Sequence, residues 1–323
     1  MGFNISRYQG RRRREFEIEV VTPMFLGGAN TNVAELRTPS LKGVIRFWWR
    51  AVHGEQPIHL LKEREKLIFG DTTQKSSTTI HIEPVEKLKT SIDLKQRGEK
   101  FTVHGRPMHI LDYLAYGTHK YERGKGNVYH KEHIEPGNRF KVSIDYETQY
   151  EEEILSTLGW VVHYGGLGAR SRNGFGSIWT KIEQPKITNV SKTANFTAIS
   201  EETRLFIFSR KSSWHLAHSE VGLAYRTARL KTERRLHQYE RRKLISAPIT
   251  VNKKNVADLE RHAKPYFLHV NKLADGSYQG QILFVPYKYL SGHFDFTPKK
   301  LSEYRAACED LNKNLTELSG GAI

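Results

Sequence analysis

The stretch from His163 to Ile178, HYGGLGARSRNGFGSI, holds five glycines and two arginines and no acidic residue. Glycine permits close backbone approach and presents bare N–H groups, and arginine forks onto phosphate oxygens. Together they suit a loop laid against a ribose-phosphate chain. The nucleotide-loop patterns fit less well. A Walker loop needs Gly, four residues and Gly-Lys-Ser/Thr, and the dinucleotide fingerprint needs three spaced glycines between a strand and a helix. Neither is present, since Gly166 and Gly168 lead to Ser171 with a helical pattern before the loop and a strand pattern after it. Phe175 in NGFGSI matches part of an RNA-recognition strand motif and could stack on a base; core filling is the commoner fate of an aromatic beside a strand.

Other residues raise the question of a reaction. His53 and His163 adjoin basic segments, and either could transfer a proton on a phosphodiester near neutral pH. No second histidine or tyrosine stands at a diagnostic spacing, and 15 histidines make such proximity unremarkable. His130 with His133, and His215 with His218 and Glu220, have a three-residue spacing that could hold a metal on a helix. Two nitrogens and a carboxylate make an incomplete site. Cys308, the one cysteine, excludes an internal disulfide framework and a multi-cysteine zinc site, and fits a reducing, cytoplasmic location. The expectation is a protein with no metal, no cofactor and no catalytic residue.

Holding the glycine loop in place requires a scaffold. Glu15 to Val21 alternates apolar and acidic residues as a half-buried strand does. Pro39-Ser40 then opens a helix with Ser40 as N-cap. Leu41, Val44, Ile45, Trp48 and Val52 form its packing face, while Lys42, Arg46, Trp49, Arg50 and His53 form a basic, aromatic one. Strand patterns follow at Thr78 to Ile82 and Phe101 to Val103, then a loop-rich segment from Gly117 to Gly137 that reads as an exposed, mobile insertion. Arg139 to Ile144 is a strand. The next helix starts at Glu151, Glu152 and Glu153, suited to the positive end of its dipole, and stops at Gly165. Ser177 to Ile182 returns as a strand.

That order is the split βαβ arrangement of ferredoxin-like folds. After a polar break at Gln184 to Ser200 the pattern resumes with a strand at Arg204 to Phe208, a long helix at Ser219 to Ile245, strands in PYFLHV and QILFVPY, and a last helix from Lys300 to Leu318. The reading is an α+β chain of two tandem ferredoxin-like domains with antiparallel sheets, 1–190 and 200–323. The second lacks its own glycine loop and closing strand. Its long helix carries Arg226, Arg229, Lys231, Arg234, Arg235, Arg241, Arg242 and Lys243 against Glu233 and Glu240. Over 323 residues, 51 Lys+Arg against 35 Asp+Glu leave a formal charge of +16. A polyanion, with nucleic acid first, is the expected partner.

GGLGARSRNGFGSI resembles the glycine-rich loop of the RAMP superfamily of CRISPR RNA-binding proteins. TPMFLGGAN followed by ELRTPSLKGVIRFWWRA, YLAYG with IEPGNRFKVSI, and later KLISAPI and KPYFLHV are similar to RAMP subunits of type III-B (Cmr) effector complexes. The resemblance is dense in the first half and thin in the second. It implies a non-catalytic subunit at the head of such a complex, near the 3′ end of the guide RNA. Its partners would be guide RNA, target RNA and other RAMP subunits. It also implies an RNA-facing surface of Gly165, Gly166, Gly168, Arg170 and Arg172 with Arg37, Lys42, Arg46, Trp49 and Arg50; Arg226, Arg229, Arg234 and Arg235 are added from the charge of the long helix. Because some RAMP proteins cut RNA with a histidine, a nuclease is the first alternative. An assembly subunit with little RNA contact is the second.

Overall fold

A computed structural model describes residues 10–103, 105–187, 191–233, 239–247, 249–251, 254–255, 262–288 and 297–321. Four antiparallel strands make the first sheet: β1 (Arg11–Val20), β2 (Thr79–Pro84), β3 (Arg139–Glu147) and β4 (Ile178–Trp179), in spatial order β4-β1-β3-β2. Helix α1 (Thr38–Val52) and helix α2 (Ile58–Phe69) connect β1 to β2, and α3 (Glu151–Tyr164) connects β3 to β4. This is the ferredoxin-like βαββαβ order. Phe16 and Ile18 stand opposite Val142 and Phe140. The even-numbered residues of β1 face the helices, so Ile18 and Val20 are buried and Arg12 and Arg14 reach Glu151 at the start of α3, at 2.6 and 3.0 Å. Half of the arginine run on β1 therefore ties a strand to a helix.

The second sheet has three described strands, β5 (Arg204–Lys211), β6 (Tyr266–Lys272) and β7 (Tyr278–Phe284), in order β5-β7-β6. Leu205, Phe267 and Leu283 point into the core that contains α1 and α3. Their neighbours Phe206, Leu268 and Ile282 point the other way, under α4 (Trp214–Lys231) and α5 (Pro298–Ser319). The molecule is thus layered as sheet, helices, sheet, helices. A strand covered on both faces reads as an unbroken apolar run, which is why YFLHV and QILFV lack alternation.

Two expectations need correction, and one helix had no reading. The helix read as Ser219 to Ile245 is Trp214–Lys231, and a separate single turn follows at Arg242–Ile245. Glu233 ends the continuity: its carboxylate accepts the backbone N–H groups of Arg241 and Arg242 and caps that turn, at 3.2 and 2.9 Å. Helix α2, for which no reading was made, packs along α1. The insertion between β2 and β3 is exposed only in part: Ile110, Leu111, Leu114 and Tyr129 are buried, and Ile110 and Leu114 lie so close to Gly222 of α4 that a Cβ there would collide with them.

Candidate nucleic-acid interface

Gly165 ends α3 by donating its N–H to Val161 O, 3.0 Å, and Leu167 N–H to Gly176 O, 2.9 Å, closes the base of the glycine loop. From there the loop touches every part of the molecule. Ala169 donates to Phe25 O (2.8 Å) and Leu268 of β6 donates to Arg172 O (3.2 Å). Asn173 donates its side-chain amide to Leu114 O of the insertion, 2.7 Å, while its own carbonyl meets His218 Nε2 of α4, 2.7 Å. His269 Nδ1 lies 2.7 Å from Gly165 O. Gly168, Gly174 and Gly176 have φ between 67° and 89°. A Cβ on Gly174 would stand 2.6 Å from His218 Nε2, and one on Gly168 would meet the Phe25 carbonyl. These glycines admit the protein's own chain, and Phe175 is core, packed edge-on against Phe25 and His218.

The two loop arginines diverge. Arg170 is exposed, in the left-handed region at φ 65°, with its guanidinium over Gly117. Arg172 turns inward. Its guanidinium lies 4.3 Å from the Phe267 ring centroid and 5.6 Å from that of Phe47, and it donates to Lys264 O. It joins α1 to the second sheet.

Along α1 the face expected to be basic and aromatic is present with one exchange. Lys42, Arg46 and Arg50 are at least partly exposed, but Trp49 is fully buried and donates its indole N–H to Glu153 Oε2, 2.8 Å. The physical reason is α2, whose Phe69 meets Trp49 edge-on at 6.0 Å. The accessible aromatic is Phe47, beside exposed Gly43. The spacing Gly43, Arg46/Phe47, Arg50 is itself helical and would have indicated this face. Arg46 lies 2.7 Å and Arg50 3.8 Å from the nearly buried Glu65 of α2, so one carboxylate serves two cations. Lys42 has no ion-pair partner among the described residues, and burial together with the nearby Arg46 lowers its pKa. Arg37, the residue before α1, faces Glu35 at 3.7 Å. Between this face and the glycine loop is a groove of about 180 Å³, with Phe47, Trp48 and Phe267 as floor and Gly43, Gly165, Gly166, Ser171 and Arg172 as walls. Beyond Phe47 a second hollow of about 340 Å³ is lined by Arg50, Ile58, Lys62 and Phe196.

Arg226 and Arg229 do not join this face. The Arg226 guanidinium lies 4.0 Å from the Phe101 ring centroid, and Arg229 donates to Tyr113 Oη, 3.3 Å, so the insertion covers both. Arg234 and Arg235 lie outside the described residues. His53 stacks on Trp49 with Nδ1 at 2.8 Å from Trp49 O, and His163 Nε2 lies 3.2 Å from Ile182 O with its pKa lowered by burial. His133, His218 and His269 are held neutral by burial, with pKa values lowered to about 4. Burial pushes the Cys308 thiol up to about 12. Among the described residues no three His, Cys, Asp or Glu side chains are grouped to hold a metal ion, and no helix is long and apolar enough to cross a membrane.

The sequence model of the RAMP superfamily matches residues 17–179, the segment from β1 to β4 that contains the glycine loop. The chain is 28% identical over 193 residues to CRISPR system Cmr subunit Cmr1-1 of Pyrococcus furiosus, an alignment covering 58% of this chain and 53% of that protein. It is 29% identical over 175 residues to Cmr1-2 of the same organism, covering 50% of this chain and 92% of that one. The alignment therefore spans only about half the length of Cmr1-1. In fold, the chain is similar to the apo crystal structure of Cmr1 from Pyrococcus furiosus, with a TM-score of 0.56 at 18% identity over 94% of this chain and 96% of that one. With one family pattern covering half of the sequence and the ferredoxin-like sheet that carries it in place, the chain belongs to the RAMP superfamily.

Proposed function

We propose that this chain is a Cmr1-type RNA-binding subunit of a type III-B CRISPR effector complex. Single-stranded guide or target RNA, near the guide's 3′ end, lies along α1 and the mouth of the glycine loop. The observation that carries the reading is the strip Lys42, Gly43, Arg46, Phe47 and Arg50 on α1, of which Gly43 and Phe47 line the 180 Å³ groove. Arg46 and Arg50 share one carboxylate there while Lys42 has none among the described residues, an aromatic ring is available for stacking a base, and Gly43 has open space where a side chain would stand. Stacking and phosphate charge are the two contributions that hold single strands. Arg37 and Arg170 extend the positive surface at either end. The names of the relatives, Cmr subunits of a CRISPR system, support the assembly part, as do the exposed apolar residues Ile58 and Leu60 on α2, which suit contact with neighbouring RAMP subunits. The chain acts by binding: His53 and His163 are both engaged in packing contacts.

The test is titration with single-stranded RNA at several salt concentrations, comparing wild type with Lys42→Ala/Arg50→Ala and with Phe47→Ala, each endpoint run on a denaturing gel. Arg46 is left intact because it neutralises buried Glu65. The expected result is intact RNA, a salt-dependent affinity, a salt slope shallower by about one per phosphate contact removed, and loss of about 1–3 kcal/mol on removing the ring. Cleavage of the RNA would make the protein a nuclease. Equal, weak binding by all three proteins would assign the charge to neighbouring subunits.

A further inference from the structure

Beside the glycine loop the structure buries the side-chain amine of Lys264 with no counter-ion among the described residues. The Nζ of Lys264 is inaccessible, lacks any hydrogen-bond partner, and lies 4.2 Å from the centroid of the Tyr225 ring. The charges that act on it are Arg229 and Arg172, both cations. The Nε of Arg229 and the Nδ1 of His218 are likewise buried and unpartnered, and Lys264 acts on His218 in turn. The acid that reaches Arg229 is Glu233, already engaged by the Arg242 side chain and by the backbone N–H groups of Arg241 and Arg242. No carboxylate faces Lys264 among the described residues.

Burial and the two neighbouring cations lower the Lys264 pKa well below the usual lysine range, so the amine holds a proton there only when a counter-charge is supplied. Water would satisfy a donor and leave the charge. A phosphate supplies both, with acceptor oxygens enough for an ammonium and a guanidinium together. Lys264 and Arg229 keep partial exposure as residues while their polar atoms turn inward, which places the site just below the surface. Arg172, a wall of the groove, donates to the Lys264 carbonyl, so one arginine stands between the site and the groove.

We infer that Lys264 and Arg229, walled by Tyr225, Tyr113 and His218, form a second anion site that takes a phosphate group, either of an RNA strand or of a free phosphate compound. This stands apart from the groove reading, because its ligand is a phosphate whatever carries it.

The experiment uses the full chain, wild type and Lys264→Met, with the groove variant Lys42→Ala/Arg50→Ala as reference. Unfolding midpoints are measured in millimolar inorganic phosphate against chloride at equal ionic strength, and a short single-stranded RNA is titrated into each protein. In chloride Lys264→Met is expected to be at least as stable as wild type, since a buried amine without a hydrogen-bond partner is gone. If the carrier is a free phosphate compound, phosphate raises the midpoint of wild type and of the groove variant but not of Lys264→Met, and RNA affinity does not change in Lys264→Met. If the carrier is RNA, Lys264→Met weakens RNA binding about tenfold and lowers the salt slope by about one, with or without a response to inorganic phosphate. The inference is overturned if phosphate response and RNA affinity are both the same in wild type and Lys264→Met. Should Lys264→Met not fold, Lys264→Gln, which also removes the charge, takes its place. Loss of RNA binding in the groove variant alone, with the same phosphate response in wild type and Lys264→Met, would leave the groove reading standing and this one overturned.

Discussion

Arg172 and Arg170, two residues apart in one loop, meet opposite fates. The first is enclosed by Phe47 and Phe267 and the second stands at the surface. Charge alone does not separate them; what surrounds each does. The same contrast divides Trp49 from Phe47. Trp49→Phe removes a buried hydrogen bond to Glu153 and leaves unfilled volume, so it is expected to cost roughly 1–3 kcal/mol of stability with RNA affinity unchanged in the folded protein. Phe47→Ala should affect RNA affinity more than its stability cost would explain. Denaturant melts of both variants beside RNA titrations check this, and an affinity loss in Trp49→Phe equal to that in Phe47→Ala would contradict the assignment. Gly174 offers a test of the loop itself. At φ 88°, with a Cβ forced to 2.6 Å from His218, Gly174→Ala is expected to destabilise by at least about 1–2 kcal/mol from backbone strain alone. A melting curve equal to wild type would mean the loop is free to move away from α4.

Between elements, the seam that holds the two sheets in register is made by histidines. His269 of β6 meets the Gly165 carbonyl at the end of α3, and His218 of α4 meets the Asn173 carbonyl in the loop. Burial lowers both pKa values to about 4. The folded state keeps these rings neutral, whereas the unfolded chain takes up their protons below pH about 6.5. Acid therefore favours unfolding. The contribution is complete above about pH 6.5 and is lost progressively as the pH falls toward 4, at about 1.4 kcal/mol per pH unit for each ring. In denaturant unfolding at a series of pH values, His269→Gln is expected to flatten the dependence in that window by about one proton. Parallel curves for the variant and wild type would show that the ring is protonated or solvated in the folded protein.

Across the whole molecule, the +16 charge is unevenly committed. Arg12 and Arg14 hold Glu151, Arg46 and Arg50 share Glu65, and Lys272 holds Glu19 at 2.7 Å. Cation excess is left at the α1 face and beside the glycine loop. RNA bound across both places should release counterions from both. Combining Lys42→Ala/Arg50→Ala with Lys264→Met should then reduce the salt slope by about the sum of the separate reductions, since the substituted residues do not touch one another; a combined variant no weaker than the groove variant would restrict RNA to the groove.

Sequence periodicity by itself determined the first sheet and two of the three helices that connect its strands, because a strand or helix that buries one face must repeat every second residue or every three to four. β1, β3, α1 and α3 are recovered within a few residues, and the motifs around the glycine loop indicated the family. Periodicity is silent about what covers a face. It could not tell that α2 would close over Trp49, that the insertion would cover Arg226 and Arg229, or that the loop's glycines would admit the protein's own carbonyls. The continuous apolar runs of the second sheet announced burial on both sides without naming the layers. Only the tertiary structure decided those matters, since they depend on contacts between separate elements, some more than a hundred positions apart, such as Gly165 with His269 and Trp49 with Glu153.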